Sequence, residues 1–179
     1  MKDISIKRIS IIILRIIIVI VILILGFYFY PERKLPNHCV VDKISVEKSK
    51  REMHVYSKGK RLKVYTISLG FRPQGKKTFE HDGKTPEGKY FIISKNGSSI
   101  AYKSLGISYP NLADSKFAFK SGKRTGGNIM IHGMINGQGY WGKFHRYIDW
   151  TAGCIAVTNY EMDDLFKHVE IGCEIEIMK

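Results

Sequence analysis

Two residues in the C-terminal third of the chain have the types and surroundings for acyl-transfer chemistry: His132 in Ile131-His132-Gly133, and Cys154 in Thr151-Ala152-Gly153-Cys154-Ile155. A thiol attacks carbonyls well as its thiolate. A neighbouring imidazole can draw the thiol pKa from about 8.5 down to roughly 3.5–7.5. The expectation is therefore a nucleophile with a depressed pKa and His132 as its base. A glycine beside the cysteine leaves backbone N–H open, so that an oxyanion formed on an attacked carbonyl can be held at about 3 Å. By itself a cysteine is equally a small buried hydrophobe, so the elements that carry these residues must decide.

Other readings compete for the same residues. His145 lies nine residues before Cys154 and is the rival base, but Lys143 and Arg146 beside it suggest a solvated loop. A zinc site from His132, His145 and Cys154 lacks the close ligand pairs that usually build one. Gly137-Gln138-Gly139-Tyr140-Trp141-Gly142 spells a dinucleotide fingerprint, yet no helix with a small-residue packing face follows and many short strands leave no room for a doubly wound sheet. No metal and no cofactor are expected. Cys39, Cys154 and Cys173 are an odd set, so one thiol at least stays unpaired in a monomer, and Cys39 with Cys173 could bridge.

Short segments of alternating polarity predict strands at 40–47, 89–95, 128–132 and 173–178, and a hairpin in which Met53 and Val55 alternate with Glu52 and His54 and Leu62 and Val64 follow the turn Ser57-Lys58-Gly59-Lys60. In the last strand Cys173, Ile175 and Ile177 share one face and Glu174 and Glu176 the other. In Asn128 to His132 the isoleucines share a face and His132 takes the opposite one at the strand's end, where it can face a cleft. Cys154 sits between a turn and the apolar run Ile155-Ala156-Val157. Thr158 and Glu161 form a capping box ahead of Met162, Leu165, Phe166 and Val169, a helix stopped by Gly172. The domain is mainly β with one or two short helices.

Residues 9–30 are almost wholly apolar and long enough to cross a bilayer. Phe27 to Tyr30 suit an interface belt better than a cleavage site, so an uncleaved transmembrane anchor is expected, with Arg15 snorkelling towards Lys2, Lys7 and Arg8 on the cytoplasmic side. The expected organisation is a cytoplasmic tail at 1–8, the anchor at 9–30, a linker at 31–39 and one domain at 40–179. The chain carries +13. Residues 1–30 hold four bases and one acid, which leaves +10 for the remainder. Such a domain is drawn to polyanions such as wall polymers and carboxylated wall peptides. Nucleic acid is disfavoured, because the bases are scattered and no nucleic-acid motif is present.

The run His81-Asp82-Gly83-Lys84-Thr85-Pro86-Glu87-Gly88-Lys89-Tyr90, then Leu105-Gly106-Ile107-Ser108-Tyr109-Pro110-Asn111, then Ile131-His132-Gly133 and Asp149-Trp150-Thr151-Ala152-Gly153-Cys154-Ile155-Ala156-Val157, resembles the YkuD-type L,D-transpeptidase family. The resemblance covers about residues 40–179. It implies a β-sandwich-like catalytic domain facing the cell wall, acting on peptidoglycan stem peptides. There Cys154 would attack the carbonyl preceding the terminal D-alanine of a tetrapeptide stem, release D-alanine, and pass the acyl group to an amine. The resemblance further implies His132 as base, Gly133 holding the imidazole through its carbonyl, and Gly153, Thr151, Trp150, Asp149 and Tyr109 in positioning or substrate binding. Two positions depart from the pattern: Ala152 stands where many members have His, and Ala156 where many have Arg, which removes one contact to a substrate carboxylate. The same thioester ended by water would make a carboxypeptidase or amidase. A sortase-like enzyme would need a downstream arginine, and none follows Arg146. From another class, a wall-binding module would need neither Cys nor His. These patterns specify no oligomeric state.

Overall fold

The computed structural model describes the backbone of residues 2–179 and side chains from Arg8 onward. The chain forms two compact units, the first ending at Glu32 and the second spanning Arg33–Lys179. In the first unit a single helix, α1 (Lys2–Phe29), occupies the apolar run and much of the expected tail; Met1 lies outside the described residues. Its window Arg8–Phe29 has a mean hydropathy of 3.3 and none of it is buried. At 1.5 Å per residue that window is about 33 Å long, the thickness of a bilayer core.

The second unit is built on eight strands: β1 (Val41–Glu47), β2 (Glu52–Ser57), β3 (Lys60–Thr66), β4 (Gly88–Ser99), β5 (Tyr102–Ile107), β6 (Met130–His132), β7 (Ile155–Ala156) and β8 (Val169–Met178). They form one sheet in the order β3-β2-β1-β8-β4-β5-β6-β7. The β2–β3 turn places Lys58 at φ 49° and Gly59 at φ 76°. Two consecutive positive φ values match the twist of a two-residue hairpin. β8 is the centre of the sheet, parallel to β1 and antiparallel to β4. Its Ile175 and Ile177 are buried while Glu174 and Glu176 meet Lys43 at 3.6 and 3.5 Å.

The sheet curls until its ends meet. Beyond β3 the chain continues through Ile67 to Gly70 and pairs with the far edge: Ser68 exchanges both backbone hydrogen bonds with Ala156, at 3.0 and 2.9 Å, and Thr151 and Leu69 are joined at 3.1 Å. The expected sandwich-like core is thus the inside of one curled sheet, filled by Ile44, Val46, Met53, Tyr65, Ile92, Leu105, Ile131, Ile155 and Ile175. Leu35, read from sequence as linker, is buried with this core, and its N–H donates to the Asp164 carboxylate at 3.0 Å.

Two short helices complete the unit. The Thr158–Glu161 capping box opens α3 (Asn159–His168), whose Met162 and Leu165 are fully buried. It passes directly into β8, so Gly172 falls within the strand and does not end the helix. α2 (Leu112–Lys120) was not signalled by apolar periodicity, because only Asp114 and Ala118 on it are buried while Leu112, Phe117 and Phe119 are exposed. Its signal is the capping box of Asn111 and Asp114.

Candidate active site

The closing seam of the sheet carries both candidate residues. In the parallel β6–β7 pair His132 lies opposite Ala156. His132 and Ala156 share one side of the sheet, and Cys154 lies two residues before Ala156 in the loop that enters β7. Ser68, opposite Ala156 on the other flank, shares that side.

His132 is buried, 6% exposed. Its Nδ1 lies 2.6 Å from the Gly133 carbonyl. A carbonyl only accepts, so Nδ1 carries the proton and Nε2 is left as the basic nitrogen. The Gly133 turn is held tightly: a Cβ there would meet Asn159 Oδ1 at 2.7 Å and Tyr102 Cβ at 3.0 Å. Asn159, the first residue of α3, also accepts the Met134 N–H at 2.8 Å. Trp150 packs edge-to-face on the imidazole with ring centroids 5.7 Å apart. Burial lowers the His132 pKa, and the Gly133 hydrogen bond opposes this in part.

Cys154 is half-buried at the end of a braced turn. The Thr151 hydroxyl donates to the Cys154 carbonyl at 2.7 Å and accepts the Gly153 N–H at 3.1 Å. The glycine's own N–H is therefore occupied, and an oxyanion donor from this turn must be the N–H of Cys154. Gly153 has φ +137°, and a Cβ on it would meet the Lys84 carbonyl at 2.6 Å. Asp149 fastens the start of the turn, accepting Arg51 Nη2 at 2.8 Å and Nε at 3.2 Å on one oxygen and the Leu69 N–H at 2.9 Å on the other.

The thiol donates to the Asn128 carbonyl at 3.5 Å. Its pKa is raised by burial, against the Met130 N–H and the nearby Lys77 ammonium, which lower it. This reverses the depressed pKa expected from sequence: desolvation raises the thiol and lowers the imidazole, so the resting pair is neutral on both sides. Lys77 is itself buried and bonded to Phe79 O and Asp82 at 2.8 and 2.9 Å. Burial raises the Asp82 carboxyl, but hydrogen bonds from Lys77, Phe79, Thr78 and Lys84 outweigh it and leave the pKa lowered.

His145 is not on a solvated loop. It lies in a 3₁₀ segment (Gly139–Tyr147) kinked at Gly142 and is buried together with Lys143. The Ser68 hydroxyl donates to the His145 carbonyl at 2.7 Å, so it can only accept from Nδ1, 2.9 Å away. That leaves Nε2 bare, and it has no hydrogen-bond partner. Burial first, then Arg146 and His132, push this histidine's pKa down to about 4. Tyr109 is a core residue, 5% exposed, whose hydroxyl braces the Thr125 carbonyl at 3.3 Å. Among the described residues no three or more His, Cys, Asp or Glu side chains are grouped to hold a metal ion, so the zinc reading lacks its ligand set. Cys39 and Cys173 are free thiols.

Sequence reasoning missed Ser68, Lys77, Arg51 and Asn159. Only Asn159 had a nearby signal, its place directly after the Thr158 cap.

Comparison with known proteins agrees with this fold. Residues 41–177 match the model of the L,D-transpeptidase catalytic domain, YkuD. Among solved structures, the helical cell shape determining protein Pgp2 of Campylobacter jejuni (K307A mutant) is 25% identical with a TM-score of 0.59, covering 82% of this chain and 50% of that one. Bd1075 of Bdellovibrio bacteriovorus is 22% identical with a TM-score of 0.54, covering 81% and 52%. An L,D-transpeptidase of Mycobacterium tuberculosis H37Rv is 17% identical with a TM-score of 0.53, covering 76% and 57%. The chain thus spans about half the length of these solved proteins. No curated protein matches its sequence. With the family model covering most of the folded unit, the chain belongs to the YkuD family of L,D-transpeptidase catalytic domains.

Proposed function

We propose that the protein is a membrane-anchored cysteine L,D-transpeptidase that acts on peptidoglycan stem peptides through a thioester on Cys154. The observation that supports this reading is the seam geometry: a half-buried thiol at the entry to β7 and a tautomer-fixed imidazole on β6, the strand paired with it. In the free enzyme both groups are neutral. As a stem carbonyl enters, Cys154 Sγ bonds to the carbonyl carbon and its proton passes to His132 Nε2. The oxyanion forms against the Cys154 N–H. Collapse breaks the C–N bond, His132 returns the proton to the departing amine of D-alanine, and the thioester remains. An acceptor amine then attacks, gives its proton to His132, and the thiol is restored when the C–S bond breaks. Gly133, Thr151, Gly153, Asp149 and Trp150 position the pair, and Tyr109 supports the loop that bears Asn128.

α1 anchors the chain as a single span, with the β domain on the extracytoplasmic side, where its substrate lies. A wall-remodelling role that bears on cell shape follows from the likeness to Pgp2. The test is product analysis by mass spectrometry after incubating the full chain in detergent with purified wall fragments, with and without an added amine. D-Alanine release together with an amine-linked product supports the transpeptidase. A tripeptide alone, even with amine in excess, makes it a carboxypeptidase. No product at all leaves a wall-binding module.

A further inference from the structure

A cleft of about 450 Å³ is walled by Glu80, Phe119, Lys123, Arg124, Gly126 and Asn128, among others. It neighbours the thiol through Asn128, which lines the cleft and whose carbonyl accepts the Cys154 Sγ–H at 3.5 Å. Apart from Glu80, its lining comes from residues 115–128, which carry four cations (Lys116, Lys120, Lys123 and Arg124) and no acid. Its backbone is fixed. The Arg124 carbonyl accepts the Glu80 N–H at 2.8 Å, and a Cβ on Gly126, at φ +72°, would meet Glu80 Cα at 3.1 Å. The charged ends, by contrast, reach into water. Lys123 Nζ lies 4.2 Å above the Phe79 ring, and the Arg124 side chain, 86% exposed, has one ion pair, to Glu80 at 3.2 Å. So exposed a pair contributes little to stability, and the guanidinium can exchange Glu80 for an incoming anion.

We propose that Arg124, assisted by Lys123, is a specificity-determining subsite that binds a free carboxylate of the donor peptide in the cleft beside Cys154. The inference rests on the thioester reading of Cys154. A guanidinium offers two parallel N–H groups that match a carboxylate, and an ammonium adds a point charge. Phe119 on the same wall gives the peptide's apolar side chains a surface to cover. A tetrapeptide stem can bring two such groups, the C-terminal carboxylate of the residue that leaves and a free carboxylate on its diamino acid.

Binding is measured by calorimetry to the full chain in detergent carrying Cys154→Ala, so that no turnover intervenes. Three probes are used: the tetrapeptide, its C-terminal amide, and the peptide amidated at the diamino acid. Arg124→Gln should weaken tetrapeptide binding about fivefold, Lys123→Gln less, and Arg124→Lys should retain most of it. The loss should shrink at high salt. One of the two amides should bind weakly to the unaltered loop and lose nothing more on Arg124→Gln, and which amide does so identifies the carboxylate. Unchanged affinity in Arg124→Gln, or an equal loss for all three probes, overturns the proposal. Absence of turnover in the unmutated chain, with these binding differences intact, would instead strike the thioester reading alone.

Discussion

The sheet has two halves of unlike construction. From β3 through β1 and β8 to β4 the strands are six to twelve residues long and are joined by backbone ladders of four to six paired residues, with register shifts in the β1–β8 and β2–β3 pairs. At the seam β6 has three residues and β7 two, and the pairing beyond them is reduced to isolated bridges. There the backbone is held by side chains: Asp149 on Arg51 and Leu69, Thr151 across its own turn, Asn159 against Gly133. On the proposed reading the long ladders set stability and the seam sets reactivity. Side-chain bonds can place a thiol and an imidazole at angles that a regular ladder does not offer.

Substitutions that separate the two halves test this. The largest effect on activity is expected at the seam from Gly153→Ala, since the added methyl must displace the Lys84 carbonyl from 2.6 Å at a φ that side chains rarely adopt. A shift of about 1 Å at the nucleophile costs on the order of a hundredfold in rate, read as kcat on protein whose circular dichroism is unaltered. In the other half Ile175→Ala should cost about 2–5 kcal/mol of stability, seen as a lowered Tm, with kcat of the folded fraction unchanged. Equal loss of kcat from both would erase the distinction.

Next, His132→Ala should slow acylation by roughly a hundredfold with Tm little altered. The pH profile carries a sign. His132 works as a base only when neutral, and its pKa lies below the ordinary 6.5, so the acidic limb of kcat/KM should fall below pH 6.5. The thiol lies above its ordinary 9.0, so alkylation of Cys154 without substrate should rise only above pH 9. Alkylation already complete near pH 6 would mean a thiolate–imidazolium pair.

A smaller effect is expected from Asp149→Asn, which keeps the shape of the carboxylate but removes the charge facing Arg51. Turnover should drop about tenfold, on the scale of one charged hydrogen bond, while both limbs of the pH profile stay in place. A moved acidic limb would show that Asp149 titrates in the reaction. The smallest change in rate is expected from His145→Gln, within about threefold, because a partly satisfied buried group is a matter of packing before chemistry. His145 has a folded pKa of about 4 against 6.5, so the unfolded chain binds the extra proton. Its stabilising share is present above pH 6.5 and lost as pH falls from 6.5 to 4. Thermal melts of His145→Gln should show a shallower loss across that window.

Legibility followed the same division. In the ladder half, alternation marked β1, the β2–β3 hairpin and β8, and it holds best in β8, where Cys173, Ile175 and Ile177 are buried, whereas Ser45 in β1 and His54 in β2 are buried on the opposite face as well. Near the seam it marked β6, within the strand expected at 128–132, but missed other elements for physical reasons. β5 runs as Tyr102-Lys103-Ser104-Leu105-Gly106-Ile107, where buried Ser104 breaks the polarity code. α2 buries an aspartate and an alanine. His145 sits between Lys143 and Arg146, whose charges read as solvated although Arg146 is paired to buried Glu161 at 2.8 Å. Cys154 and His132 were visible from residue type and glycine neighbours, whereas the direction of their pKa shifts depends on desolvation, which only the folded chain creates.

The central claim is that Cys154 accepts the acyl group. Intact-protein mass spectrometry of the full chain quenched in acid after brief exposure to a tetrapeptide stem tests it most directly. The expected result is a mass gain equal to the tripeptide acyl group, localised by digestion to Cys154, removed by hydroxylamine, absent in Cys154→Ala and much slower in His132→Ala. Turnover by Cys154→Ala, or an acyl group found on another residue, would contradict it.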